Sequence, residues 1–211
     1  MHKNLDLQAW RRVSLLCGVD EVGRGALAGP VVAAAVVLPP KLEIEDVRDS
    51  KKLTPRRREE LFQQIATKAL GIGVGFIPSE EIDETNILQA ALKAMRRACE
   101  RLAMRIEPDL VFVDGTYKIP DLPWPQEPFP QADENSMSVA AASIVAKVLR
   151  DRYMAQLDNS FPGYDFARHK GYPTSDHVKT LRRLGPSPIH RLSFRPCVEC
   201  SEVRIHNIEI E

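Results

Sequence analysis

Two short apolar runs, Leu15 to Val19 and Val31 to Leu38, flank a glycine-containing connection, and this pairing constrains the fold more than any other feature of the chain. Runs of this length, rich in Val and Ala and bounded by turn residues, read as adjacent strands. Pro39-Pro40 closes the second, because proline cannot extend a strand ladder. The first run ends in Asp20-Glu21, and Gly23-Arg24-Gly25 follows at once. A strand end, an acidic pair and a glycine turn are therefore neighbours, at the kind of sheet edge where loops and ligands gather.

The rest of the chain supplies partners for these strands. Thr54-Pro55 is an N-cap and first-turn pair for a helix over residues 55–69. Gly71 to Phe76 alternates small and apolar residues and reads as a third strand. Ile87 to Arg105 is amphipathic, with Leu88, Ala91, Leu92, Met95 and Ala98 on one face. Leu110 to Val113 is a buried strand with Asp114-Gly115 just past its end. Five prolines between residues 117 and 130 predict a loop there. Ser138 to Asn159 is helical, with Ser138 as N-cap and an Ala-rich first half. A last helix covers Ser175 to Leu184, stopped by Gly185-Pro186.

Strands first, with helices filling the gaps between later ones, predict an α/β domain with a mixed sheet and helices packed on it. No long linker divides the 211 residues, which fits a single domain. Residues 1–160 read as its main body. Residues 161–211 read as a smaller helical and loop-rich appendage and tail, part of the same compact unit.

Charge excludes little. The 29 basic residues balance 29 acidic ones, so nucleic acid could be held only by local positive charge. Local runs exist at Lys51-Lys52, Arg56-Arg57-Arg58, Arg168-His169-Lys170 and Arg182-Arg183, and each alone reads equally well as a solvated helix face. No stretch reaches the ~20 apolar residues of a membrane helix, and the N-terminus lacks the apolar core of a signal peptide. A cytoplasmic protein without membrane association is expected. Of the four cysteines, Cys17 and Cys99 look like small core residues. Cys197 and Cys200 have C-x-x-C spacing that His190 and His206 could extend to a zinc set, but reduced thiols are the simpler account.

The carboxylates carry the chemistry. Asp20 and Glu21 end one strand, Asp114 ends another, and Asp151 lies late in the Ala-rich helix, which can pack on the same sheet. Any one alone reads as a polar strand end, a turn or an ion-pair member. Grouped, they repel one another, and a divalent cation removes the conflict. Oxygen donors without a His or Cys cluster point to Mg²⁺ or Mn²⁺. Two such ions about 4 Å apart can activate water and stabilise the leaving oxygen of a phosphodiester. Glycines at 23 and 25 let backbone groups approach a ligand closely, and such groups could read a ribose 2′-hydroxyl. On the long helix Ser143, Lys147 and Asp151 share a face, so Lys147 could neutralise the carboxylates or a phosphate.

The run Gly18-Val19-Asp20-Glu21-Val22-Gly23-Arg24-Gly25-Ala26-Leu27-Ala28-Gly29-Pro30 resembles the N-terminal signature of ribonuclease HII. Further segments agree in order: Asp49-Ser50-Lys51-Lys52-Leu53, Val113-Asp114-Gly115, Ala140 to Asp151, His169-Lys170-Gly171-Tyr172, and Gly185 to Phe194. The resemblance spans about residues 15 to 195.

It implies a ribonuclease-H-like fold, a five-stranded mixed sheet flanked by helices with a small C-terminal helical part. It implies metal ligation by Asp20, Glu21, Asp114 and Asp151, with Asp133 as a rival for the fourth place. It implies that Gly23, Arg24 and Gly25 sense the 2′-hydroxyl at an RNA–DNA junction and that Tyr172 stacks on a sugar beside the cut. Lys51, Ser143, Lys147 and Lys170 are expected to contact substrate. The implied reaction is endonucleolytic cleavage of the RNA strand of RNA–DNA hybrids, and of duplex DNA 5′ to an embedded ribonucleotide. It leaves a 3′-hydroxyl and a 5′-phosphate and is catalysed by a monomer with two Mg²⁺ or Mn²⁺ ions. A hybrid-binding module without catalysis and a DNA-directed nuclease of the same fold group are the alternatives. Against the first stand all four acidic residues; against the second, the Gly-Arg-Gly run. The sequence departs from the family pattern at Ala26, Thr116 and Pro173, the last of which stiffens the loop carrying Tyr172.

Overall fold

Strand β2, Val31–Val37, is buried along its whole length, as seven Val and Ala residues in the interior of a sheet must be. It pairs antiparallel with β1, Leu16–Val22, in a register that sets Asp20 opposite Ala34 and Glu21 opposite Ala33. On its other side β1 runs parallel to β4, Leu110–Asp114, with Val19 opposite Val113. With β3, Gly71–Ile77, and β5, Gln126–Phe129, these make a five-stranded mixed sheet in the order β3-β2-β1-β4-β5. The computed structural model describes residues 5–47 and 53–200.

Eight helices accompany the sheet among the described residues: α1 Leu5–Ala9, α2 Pro55–Lys68, α3 Ser79–Glu84, α4 Ile87–Ala103, α5 Ala132–Asn135, α6 Met137–Ser160, α7 Phe166–His169 and α8 Ser175–Leu184. No helix among them is long and apolar enough to cross a membrane. The predicted caps at Thr54 and Gly185 hold: the Thr54 side chain accepts from the Arg57 N–H at 3.2 Å, and α8 ends against Gly185.

Two sequence expectations need correction. The proline-rich stretch is not loop throughout, because residues 126–129 form the edge strand β5, parallel to β4. An edge strand tolerates Pro128, because Pro125 and Phe129 are among the residues that bond the β4 side and the Pro128 nitrogen faces the open edge, where no N–H is needed. Ser138 is not the N-cap of α6. The cap is Ser136, whose Oγ accepts from the Val139 N–H at 3.2 Å. Ser138 instead donates from both its N–H and its hydroxyl to Asp6 Oδ2, each at 2.9 Å.

By contacts the chain forms two compact units. Among the described residues, one comprises 5–22, 32–76 and 91–149, and the other 23–31, 77–90 and 150–200. In the first, the Ala-rich part of α6 packs with Ala34, Val36, Leu61 and Ile65. Gly18 explains how closely that helix approaches: a Cβ there would collide with the backbone of Ser138 and Val139. The second unit has two smaller apolar clusters, one around Leu27, Leu181 and Cys197 and one around Ala28, Met154 and Phe166.

Candidate active site

Asp20 and Asp114 are each one residue beyond the paired Val19 and Val113 of parallel neighbours β1 and β4. They leave the same end of the sheet on the same face, from strands about 4.8 Å apart. Asp20 is buried, with 7% of its surface exposed, while Glu21 and Asp114 are half-buried. Burial first, and then the charges of Glu21 and Asp114, push the Asp20 carboxyl well above its usual range. Against this, the Ser143 hydroxyl of α6 donates to Asp20, and the Glu21 backbone N–H donates to Asp20 Oδ1 at 2.7 Å. Asp114 is held by its Oδ1, which accepts from the Ala132 N–H at 2.7 Å. Asp133 is buried in the same short helix α5.

This donor set suits a hard divalent cation. A buried carboxylate facing two others is costly while all three are ionised, and positive charge between them offsets that cost. Among the described residues no three His, Cys, Asp or Glu side chains form a ready-made cage. Mg²⁺ needs none, since one or two carboxylates ordinarily hold it while water and phosphate oxygens complete its shell.

Helix α6 carries Ser143, Lys147 and Asp151 at four-residue spacing, hence on one face, and all three are half-buried. Lys51 lies outside the described residues, as do Lys52 and His206.

In the second unit Gly23 is buried with φ +99°, and a Cβ there would strike the Arg150 side chain and the Pro30 carbonyl. Glycine is required at that position. Gly25 differs: a Cβ on it would meet nothing within 4 Å. Packing does not demand a glycine at 25, so the bare backbone there is left open to a ligand. Arg24 is exposed beside it.

Two fully buried arginines clamp this segment by its carbonyls. Arg150 donates from Nε to Pro30 O at 2.9 Å, from Nη2 to Ala28 O at 3.2 Å and from Nη1 to Lys170 O at 2.9 Å. Arg191 donates from Nε and Nη2 to Gly29 O at 3.1 and 2.9 Å, and from Nη1 to Arg24 O at 2.9 Å. Burial lowers both from the usual arginine range, Arg191 to about 9, with the neighbouring charge of Arg150 adding to the effect. Lys170 is in the left-handed region with φ 54°, and its ammonium donates to the Ala167 carbonyl. The half-buried Tyr172 ring lies 5.2 Å from the Arg150 guanidinium.

The sequence reading missed the role of the two buried arginines, and it missed His177, whose Nδ1 is 2.9 Å from the Tyr172 carbonyl. One signal was present: Arg150 continues the buried stripe Ala142-Ala146 at four-residue spacing, so the periodicity of α6 places it inside. The zinc set cannot be traced in full because His206 lies outside the described residues; within them Cys197 is buried and Cys200 half-buried, and burial pushes the Cys197 thiol up to about 12. Cys17 and Cys99 are buried and unbridged, as small core residues.

The family model for ribonuclease HII matches residues 17–197. Ribonuclease HII of Syntrophotalea carbinolica is 50% identical over 193 residues, covering 92% of this chain and 90% of that protein. Among solved structures, ribonuclease H2 from Pyrococcus horikoshii OT3 superposes with a TM-score of 0.75 at 28% identity, covering 89% of this chain and 97% of that one. Bst-RNase HIII in complex with Mn²⁺ has the same fold, with a TM-score of 0.72 at 20% identity over 94% of this chain and 72% of that one.

Proposed function

The chain belongs to the ribonuclease HII family, and we propose that its endoribonuclease activity cuts both the RNA strand of RNA–DNA hybrids and duplex DNA 5′ to single embedded ribonucleotides. The products carry a 3′-hydroxyl and a 5′-phosphate. The observation that carries this reading is that Asp20 and Asp114 leave the same end of neighbouring parallel strands with Glu21 beside them, directly before Gly23-Arg24-Gly25 in the chain. The protein acts as a cytoplasmic monomer in removing misincorporated ribonucleotides and RNA primers.

Asp20, Glu21 and Asp114 would hold the divalent cation, and the family resemblance adds Asp151 rather than Asp133. When bound, a pair of Mg²⁺ or Mn²⁺ ions supplies the charge that activates the attacking water and stabilises the departing 3′-oxygen. The Ser143 hydroxyl orients Asp20 by donating to it. Lys147, one turn from both Ser143 and Asp151 on α6, neutralises charge among the carboxylates or on a phosphate.

Selectivity for ribose rests on the turn. The open backbone at Gly25 lets peptide groups reach the 2′-hydroxyl, which deoxyribose lacks. Arg24, exposed beside it, meets the adjoining phosphate, and the family resemblance adds Lys51 and Lys170 as further substrate contacts. The Tyr172 ring stacks on the sugar beside the cut and keeps the scissile phosphate in line, where an error of about 1 Å can cost on the order of 100-fold in rate.

Three duplexes test this, carrying one ribonucleotide, a run of ribonucleotides, or none, each incubated with Mg²⁺ or Mn²⁺ and with end analysis of the products. Cleavage of the first two alone, 5′ to the ribonucleotide, is expected. Cutting of the all-DNA duplex, or a 3′-phosphate product, would sink the proposal.

A further inference from the structure

Three histidines pack around the buried Phe166 ring in the second unit, their ring centroids 5.6 to 5.7 Å from it. His169 stacks on His177 at 4.1 Å. His177 Nδ1 is 2.9 Å from the Tyr172 carbonyl, and its Nε2 is 3.1 Å from His190 Nε2. His190 Nδ1 is 2.9 Å from the Ser187 N–H and 2.8 Å from the Ser187 hydroxyl.

The two ends of this chain fix its direction. The Tyr172 carbonyl can only accept, so His177 Nδ1 carries its proton. A neutral His177 then accepts at Nε2, and His190 donates from its own Nε2. His190 Nδ1 is left as an acceptor, which suits the Ser187 N–H, a group that can only donate. The tautomers therefore follow from the network. His169 sits alongside in the same neutral state: its Nδ1 accepts from the Gly171 N–H at 3.1 Å, and its Nε2 donates to Tyr164 O at 2.7 Å.

We infer that Ser187, His190 and His177 form a one-way hydrogen-bond chain that sets the Tyr172 main chain, making His177 and His190 positioning residues for cleavage. The inference rests on the reading that the Tyr172 ring lies against the sugar beside the cut. Burial supports it by holding both rings neutral: His177 is lowered to about 4 and His190 to about 3. A protonated His190 would turn a proton toward the Ser187 N–H and break the chain at its source.

A double-mutant cycle with two versions of residue 177 tests this in the full chain. His177→Leu should lower turnover on a single-ribonucleotide duplex about tenfold, a fraction of what a 1 Å misplacement costs. His177→Asn, whose amide N–H overlays Nδ1 but whose oxygen cannot reach His190, should recover part of that loss and no more. Added to Tyr172→Ala, which removes the ring being positioned, His177→Leu should cost less than about twofold more, since coupled sites are not additive. If the losses of Tyr172→Ala and His177→Leu multiply, or His177→Asn fails to rescue, the inference is overturned while the Tyr172 reading stands. If Tyr172→Ala alone leaves turnover unchanged, the sugar-stacking reading falls and takes the inference with it. Should His177→Leu not fold, His190→Asn takes its place in the cycle, because it can still accept from Ser187 but cannot reach His177.

Discussion

Arg150 holds its guanidinium 5.2 Å from the centre of the Tyr172 ring and donates to the carbonyl of Lys170, two residues earlier in the same loop. One buried side chain thereby supports the ring and anchors its main chain, while its other two donors fix Ala28 and Pro30 behind the Gly-Arg-Gly turn.

Arg150→Lys should therefore be far from conservative. A lysine ammonium cannot span three carbonyls arranged for a planar fork, and buried acceptors left unmet cost roughly 1–3 kcal/mol each. Thermal denaturation should show a drop of at least several degrees, and turnover on a single-ribonucleotide duplex should fall even below the melting range. A variant with wild-type melting and cleavage would remove Arg150 from this role.

Asp20→Asn should separate stability from activity in the opposite sense. It removes a charge whose burial first, and then repulsion from Glu21 and Asp114, raises the Asp20 carboxyl, so the metal-free protein should melt a few degrees higher, for a gain of about 1 kcal/mol. Cleavage should be abolished at saturating Mg²⁺. A lower melting temperature together with residual turnover would contradict both halves.

Mg²⁺ or Mn²⁺ should raise the melting temperature of the wild-type chain, because an ion that binds only the folded state stabilises it by about 2.7 kcal/mol at a hundredfold excess over Kd. Asp20→Asn should show little of this gain in a titration read by scanning calorimetry. An equal shift in both proteins would place the ion elsewhere.

Acid should destabilise the protein through its histidines. His177 and His190 are lowered from 6.5 to about 4 and about 3, so the unfolded chain binds protons more readily than the native one. Their contribution is fully present above about pH 6.5, shrinks as the pH falls through 6.5 toward 4, and is lost below about 3. Melting temperature measured from pH 7.5 to 4 should fall through that window, and His190→Asn should flatten the decline. An unchanged slope in that variant would assign the acid sensitivity to other groups.

Where burial and periodicity coincide, the sequence was readable. The all-apolar β2 and the helix α8 at Ser175–Leu184 agree with their patterns to within a residue or less. The strand end at Asp20 was legible for the same reason, as a charged pair terminating an apolar run. The edge strand β5 was not, because proline content signals turns and only pairing to β4 distinguishes a strand from a loop. The arginine clamp was hidden by its chemistry: a charged side chain next to Asp151 reads as surface unless the helix stripe through Ala142 and Ala146 is followed. The basic runs stayed ambiguous for want of partners. Arg57 pairs with Asp46 and Glu60, and Arg168 with Asp165 and Asp176, so part of that positive charge is already committed within the fold.

The missing side chain at Gly18 has an implication for recognising working members of such a family. Strand and helix meet there backbone to backbone, so a single added methyl group has nowhere to go and must lever α6 away from β1. Ser143 would then part from Asp20 although every acidic residue remained in place. A chain damaged in this way would pass any inventory of its ligands and still be inert, because the defect is one of spacing rather than of chemistry.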